Sequence, residues 1–260
     1  MTSRDDATAR IAADADTGVT LVSVVIPVRD DDLALLRVLG SLERDARVQV
    51  IVVDGGSGRS ASPVMEAALR SVLVLTCSPG RARQMNLGAT RAIGAWVLFL
   101  HADTRLPHGW IDELTRIDQD VSVVGGCFRF QLESDVAVAR LLERAVALRV
   151  RWAKLPYGDQ ALFVRRHVFE GLGGFLDVPL MEDVDFVRRL TRTGRLHCST
   201  LPAITSARRW EEDGWLRRSG QNIVLLLLYL AGVSPERLAR WYGRNRVVRR
   251  SAGSSNVAIG

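Results

Sequence analysis

The strongest constraint on this chain is an alternation between residues 21 and 100. Four short, unbroken apolar runs are separated by segments with helical spacing. The runs are Leu21-Val-Ser-Val-Val-Ile26, Val48-Gln-Val-Ile-Val-Val53, Val72 to Thr76 and Ala95-Trp-Val-Leu-Phe-Leu100. They are rich in β-branched residues and too short to be helices. The separators are Leu33 to Leu42, a segment opening at Pro63 and running to about Arg70, and Arg81 to Ile93. Strands apolar on both faces must be covered on both faces, and parallel strands need crossover helices. The pattern therefore predicts an α/β fold, with a mostly parallel, Rossmann-like central sheet and helices on both sides. In such sheets ligands bind beyond the carboxyl ends of the strands. Those ends carry Arg29-Asp-Asp-Asp32, Asp54-Gly-Gly-Ser57 and His101-Ala-Asp103, so carboxylates and glycines gather on one edge.

After residue 120 the rhythm changes. Val121 to Phe130 reads as a strand carrying a glycine pair, and Gln160 to Arg165 as a short strand. Helices are expected over Asp135 to Trp152, Glu182 to Thr193, Leu216 to Leu230 and Ser234 to Trp241, the last opening with proline at its first position. In the first of these, Leu141, Ala145, Leu148 and Trp152 form one face and Arg140, Arg144 and Arg151 another. The expected layout is a loose tail over 1–19, a main domain over 20–210 with halves meeting near residue 120, C-terminal helices over 211–248 and a Gly/Ser tail over 249–260.

Composition removes several classes. With 260 residues, 47% apolar and 25% charged, the chain is ordinary globular protein rather than a disordered or disulfide-stapled one. The net charge is +6, and Lys154 is the sole lysine among 35 basic residues. Arginine forks suit phosphate and carboxylate groups. Cys77, Cys127 and Cys198 are scattered and odd in number, which fits a reducing compartment and no metal knuckle. The first residues carry acids and no apolar stretch, so no signal peptide is expected. Ile223 to Val233 is the longest apolar run and is too short to span a bilayer.

Gly55-Gly-Ser57-Gly58 approaches a nucleophile elbow, but Arg59 stands where the last glycine belongs and no histidine is placed as a base. Asp103 after a buried strand is placed to hold a divalent cation with substrate phosphates. Asp54 before two glycines is placed to accept from a nucleobase or ribose, although either aspartate also suits a solvated turn.

Taken in order, Val24-Val-Ile-Pro-Val28, Val52-Val-Asp-Gly-Gly-Ser57, Gly80-Arg-Ala-Arg-Gln-Met-Asn-Leu-Gly88 and Phe99-Leu-His-Ala-Asp-Thr104 resemble glycosyltransferase family 2 with its GT-A fold. Pro156-Tyr-Gly-Asp-Gln160, Leu172-Gly-Gly-Phe175, Pro179-Leu-Met-Glu-Asp-Val184 and Thr205-Ser-Ala-Arg-Arg-Trp210 are similar to a bacterial subgroup of it, the radical-SAM/selenodomain-associated transferases 2. The resemblance implies transfer of a sugar from a nucleotide sugar, a UDP-sugar above all, with a divalent metal, Mn2+ or Mg2+, and with inversion. It carries nucleoside and donor binding to Pro27, Val28, Asp31, Asp54, Gly55, Gly56, Arg81, Asp103 and Arg209. It carries the metal to Asp103, with His101 standing where the family's Asp-x-Asp motif has its first aspartate. It makes Asp183 the base and Glu182 its neighbour, and it points to Asp159, Gln160 and Trp210 for sugar or acceptor. Arg83 and Arg208 are further diphosphate candidates. The acceptor is a small molecule or a lipid. The run 223–233 with the basic helix after it reads first as a helix packed on the catalytic domain, with a membrane-surface element that meets a lipid acceptor as the alternative. The expected location is the cytoplasm, at the inner membrane face if the acceptor is a lipid.

Three other readings compete with this one. A sugar nucleotidyltransferase would need a basic glycine-rich loop after the first strand, where this chain has Arg29-Asp-Asp-Asp32. A nucleic-acid binder would need a basic stripe with aromatics, and aromatics are 6%. A nucleotide-binding pseudoenzyme is conceivable from His101 alone.

Overall fold

The computed structural model describes residues 20–56, 68 and 72–243. The elements in chain order are β1 (Val22–Val28), α1 (Asp32–Ser41), β2 (Val48–Asp54), β3 (Leu73–Thr76), α2 (Arg81–Ala89), β4 (Trp96–Phe99), β5 (Thr104–Arg105) and α3 (Trp110–Asp118). Then come β6 (Val123–Glu133), α4 (Ala137–Ala153), a 3-10 turn (Gly158–Gln160), β7 (Leu162–Arg165), α5 (Arg166–Gly171), α6 (Glu182–Leu190), β8 (Arg195–Ser206), α7 (Arg208–Asp213), α8 (Trp215–Leu230) and α9 (235–243).

The strands form one sheet in the order β3-β2-β1-β4-β7-β6-β8-β5. β3, β2, β1 and β4 run parallel, as the sequence pattern predicts. β7 then enters antiparallel between β4 and β6, β6 and β8 pair in parallel, and β5 closes the edge antiparallel to β8. The fold class is therefore as expected, with the second half of the sheet mixed.

Alternation along β1 divides its side chains between two cores. Val24 and Ile26 pack under α1 and α3, against Leu35, Val38, Trp110 and Leu114. Val25 faces α2, whose Met85 and Ala89 lie in a core shared with Phe169, Phe175 and Phe186. A third core joins β6, α4, α6 and Trp210.

Two expectations change. The expected apolar face of α4 lies outward: Leu141 is 63% exposed and Trp152 78%, while Ala139, Val146 and Val150 pack inward. The helix has apolar residues on two faces, and spacing alone does not say which one meets the core. In α8 the apolar run likewise buries chiefly Leu225, leaving Ile223, Val224, Leu227, Leu228 and Leu230 exposed. The sequence reading also missed β5, α3, α5, α7 and β8. The last carries Pro202 and alternating polar residues, which hide a strand. The helix expected from Pro63 lies outside the described residues apart from position 68, and so do the two tails.

One side chain fastens the edge where ligands would bind. The Gln84 amide nitrogen donates to the carbonyls of Val28 and Val53, 2.8 Å each, tying the ends of β1 and β2 to α2. A Cβ at Gly55 would stand 3.0 Å from Gln84 Oε1, so glycine is what lets that amide in. Gln84→Met keeps the volume but removes both hydrogen bonds, leaving the Val28 carbonyl with the Gly55 N–H alone. It is expected to cost about 1–3 kcal/mol at about 0.5–1.5 per hydrogen bond. A urea unfolding curve within 0.5 kcal/mol of wild type (a difference of roughly that size is the usual surface background) would refute the fastening role.

Candidate active site

The carboxyl ends of β1 and β4 open into two adjoining hollows. The first, about 210 Å³, is lined by Pro27, Val28, Arg29 and Asp31 from the loop after β1, together with Gln84. The second, about 250 Å³, is lined by Tyr157, Asp159, Met181, Asp183, Thr205, Trp210, Arg218, Asn222 and Tyr242, among others. Arg81, His101, Asp103 and Arg209 line both and form the wall between them.

This wall is a charge network. Arg81 Nε donates to the Glu182 carboxylate, and its Nη1 lies 3.4 Å from His101 Nε2. Burial works against charge on Arg81, but Glu182 and Asp183 outweigh it and raise the pKa. His101 goes the other way. Burial, then Arg81 and Arg209, push it down to about 3, so the imidazole is neutral and its Nε2 accepts from Arg81. Arg209 stands 3.3 Å from Asp103.

Around the wall the backbone is held in uncommon conformations. Asp30, Ala161 and Met181 all have positive φ, at 54°, 48° and 68°. Met181 precedes α6, whose first turn carries Glu182, Asp183 and Asp185. Acids there gain from the helix dipole. Asp183 is fixed by two peptide N–H groups, from Gly158 and from Val184, each at 2.8 Å. Gly158 permits this packing, since a Cβ there would meet His101 Nε2 at 3.0 Å and Asp183 Oδ2 at 3.3 Å. Thr205 donates to the Asp159 carbonyl at 3.1 Å and so ties β8 to the 3-10 turn.

Among the described residues, three buried side-chain polar atoms have no hydrogen-bond partner: Asp159 Oδ1, Trp210 Nε1 and Arg218 Nε. All three residues line the second hollow. Unpaired buried polar atoms are uncommon and costly, and three of them around one cavity offer polar bonding to whatever enters it. Burial also lifts the Asp159 carboxyl to about 6, with Asp183 and Asp103 adding to the rise against Arg149 and Arg81.

The expected residues separate into three groups. Pro27, Val28, Asp31, Arg81, His101, Asp103, Asp159, Asp183, Arg209 and Trp210 converge on the hollows. Asp54 ends β2 in register with Val28, and Gly55 and Gly56 follow it, but they line neither hollow. Glu182 and Gln160 differ from expectation. Glu182 is 2% exposed and its carboxylate faces Arg81 rather than the cavity. Gln160 is buried behind the turn, donating to the Phe128 carbonyl at 3.2 Å and accepting from Tyr157 N–H at 3.2 Å. Arg208 and Arg83 do not reach the wall. Arg208 pairs with Asp31 at 2.8 Å, while another Asp31 oxygen caps α1, and Arg83 pairs with Asp177 at 2.8 Å. The sequence reading missed Tyr157, Gln84, Thr205, Arg218, Asn222 and Tyr242. Tyr157, Gln84 and Thr205 lay inside quoted motifs. The last three sit on helices that only folding brings to the cavity.

For a divalent cation, the donor set is one carboxylate, Asp103, beside the neutral imidazole of His101. Among the described residues no cluster of three or more His, Cys, Asp or Glu could hold a metal by itself. The set fits a cation that phosphate oxygens and waters also ligate, as Mg2+-type sites are built.

The Asp159 carboxyl binds its proton more tightly in the folded chain than in the unfolded one. Folded stability therefore falls as pH rises from about 4 to about 6 and stays lowered above that. Asp159→Asn removes the penalty. Its Tm is expected to exceed wild type at pH 7–8, by about 2–4 °C per kcal/mol at this chain size, and to match it near pH 4. An equal Tm difference at both pH values would contradict the assignment.

The family model for glycosyl transferase family 2 matches residues 23–175, more than half of the chain. No curated protein sequence matches. Among solved structures, the mannosyltransferase PcManGT from Pyrobaculum calidifontis, in complex with GDP-Man and Mn2+, is similar with a TM-score of 0.59 and 16% identity, covering 86% of this chain and 69% of its own. TarS 1-349 of S. aureus has a TM-score of 0.55 and 14% identity, covering 92% of this chain and 75% of its own. A complex of that protein with UDP-GlcNAc scores 0.55 over 72% of this chain and 58% of its own.

Proposed function

This chain belongs to glycosyl transferase family 2, and from that premise we propose that it moves a sugar from a nucleotide-sugar donor, UDP-linked in our reading, onto an acceptor hydroxyl with inversion. The observation that carries the proposal is the pair of hollows sharing one wall. The nearer takes the nucleotide, the wall meets the diphosphate, and the farther, with its three unpaired polar atoms, takes sugar and acceptor.

In this mechanism Arg81 and Arg209 provide the charge that the leaving diphosphate needs. Guanidinium forks bind such oxygens through paired, charge-assisted hydrogen bonds. Glu182 and His101 hold Arg81 in place, so its charge is preorganised rather than recruited. A divalent metal at Asp103, with His101 beside it, would add Lewis acidity to the leaving group. Asp183, locked by two peptide N–H groups, takes the acceptor proton. The acceptor oxygen bonds to the anomeric carbon as the bond from that carbon to the diphosphate oxygen breaks on the opposite face. Trp210 Nε1 and Arg218 Nε are donors for sugar or acceptor hydroxyls, and Asp159 Oδ1 is an acceptor for one.

A second assignment of the base has an observation in its favour. Asp159 has an unpaired oxygen and a pKa near 6, close to where a general base works best. Asp183→Asn is expected to keep donor affinity by calorimetry while turnover falls by about 10²–10⁴-fold. Near wild-type turnover in Asp183→Asn with that loss in Asp159→Asn instead would move the base to Asp159. Loss of donor binding in Asp183→Asn would remove it from the base role.

The metal has its own test. Titration of UDP is expected to give tighter binding with Mn2+ than with a chelator, and Asp103→Ala is expected to abolish that difference. Mn2+ alone, without nucleotide, is expected to bind weakly. Tight binding of Mn2+ to the free protein, or a metal effect that survives in Asp103→Ala, would place the cation elsewhere.

A further inference from the structure

A slot of about 290 Å³ runs between α4 and α8, lined by Leu142, Ala145, Val146, Ile223 and Leu226 along its length. Its inner end is Tyr157, Asp159, Trp210 and Asn222, which also line the sugar hollow. The slot is thus an apolar corridor leading from the surface to the reacting groups. Its mouth is flanked by two apolar stripes. On α4, Leu141, Ala145, Leu148 and Trp152 recur at helical spacing. On α8, Leu216, Ile223, Leu227 and Leu230 do the same. Ala145 and Ile223 belong both to a stripe and to the slot wall. The large members of both stripes are exposed: Leu148 is 56% accessible, Leu216 81% and Leu227 59%.

Charge says what covers this face. Among residues 136–156 and 214–243 six basic side chains are exposed, Arg144, Arg151, Lys154, Arg217, Arg237 and Arg240, while Arg140 pairs with Glu143, Arg149 lines the slot and Arg218 is buried on Asp213; the acidic side chains in these stretches are Glu143 and Glu236. A second copy of the chain docked about a two-fold axis would set this excess against itself. A water-soluble acceptor would leave the stripes uncovered. An anionic bilayer satisfies both: acyl chains cover the leucines, headgroups meet the arginines, and Trp152 and Trp241 suit the interface between them. Among the described residues no helix is long and apolar enough to cross a membrane, so the contact is with a surface.

We propose that the acceptor is a membrane lipid. The face formed by α4 and α8 rests on an anionic bilayer, and the slot between them takes the lipid's chain and leaves its polar head at Tyr157 and Asp159. The proposal rests on the transferase reading for the chemistry at that head, but the lipid contact itself is measured without turnover.

The test uses the full chain with vesicles of phosphatidylglycerol and phosphatidylcholine, and with phosphatidylcholine alone. Flotation is expected with the anionic vesicles and to weaken as salt rises. Brominated lipids are expected to quench Trp152, assigned with Trp152→Phe. Leu148→Glu combined with Trp152→Glu replaces two exposed residues and is expected to weaken vesicle binding roughly tenfold or more. For the slot, dibrominated stearate is expected to quench Trp210, assigned with Trp210→Phe, and to do so less in Ala145→Phe. Absence of flotation at low salt, flotation unchanged in the double variant, or a concentration-dependent dimer that shields Trp152 would each overturn the membrane face. Quenching of Trp210 that Ala145→Phe leaves unchanged would overturn the slot. UDP binding by the same preparation is the independent control. If UDP fails to bind while vesicles do, the transferase reading falls and the lipid contact stands.

Discussion

Glu182 is an almost fully buried carboxylate, and its partner is Arg81, 101 residues away in sequence. A buried charge without a counter-charge costs several kcal/mol, so α2 and α6 must start side by side. That single requirement brings the parallel half of the sheet against the mixed half at the carboxyl ends of the strands. It also leaves the rest of the Arg81 guanidinium beside His101, facing the hollows. The pair is best understood as specifying position more than adding stability, because burying both ions offsets much of their attraction.

From that junction the electrostatics of the site follow. The two arginines of the wall are each matched by a carboxylate, Arg81 by Glu182 and Arg209 by Asp103, and His101 adds no proton. The carboxylates are split between those already paired, Glu182 and Asp31, and those turned to the cavity, Asp159 and Asp183. Left-handed backbone at Ala161 and Met181 aims the 3-10 turn and the start of α6 at one another. Such conformations persist only where surrounding structure holds them. Here the Thr205 bond to the Asp159 carbonyl and the Gly158 bond to Asp183 do so.

The C-terminal helices are part of this site rather than an appendage. Arg218, Asn222, Leu225 and Tyr242 close the side of the cavity farthest from the sheet. Arg218 is held by Asp213 and by the Tyr242 hydroxyl, at 3.0 and 2.9 Å, so α7, α8 and α9 are linked through one guanidinium. The same helices leave much of their apolar surface uncovered.

The sequence by itself determined the parallel half and the edge where ligands bind. Strand identity there is set by local pattern: Val22 to Val28 and Trp96 to Phe99 are apolar on both faces, and a polar loop must follow each. Of the residues in the quoted motifs, Asp103, Arg81, Arg209 and Asp183 all line the cavity. Only the tertiary structure decided the rest. Glu182 and Asp183 are neighbours in sequence, yet successive helical residues point about 100° apart, so one enters the core and the other the cavity. Gln160 follows Asp159 and is likewise turned inward, to the Phe128 carbonyl. On α4 two apolar stripes competed for burial, and the winner was set by what β6, α6 and Trp210 offered across the interface. Local spacing records which residues share a face. Which face is buried depends on a partner surface that comes from elsewhere in the chain.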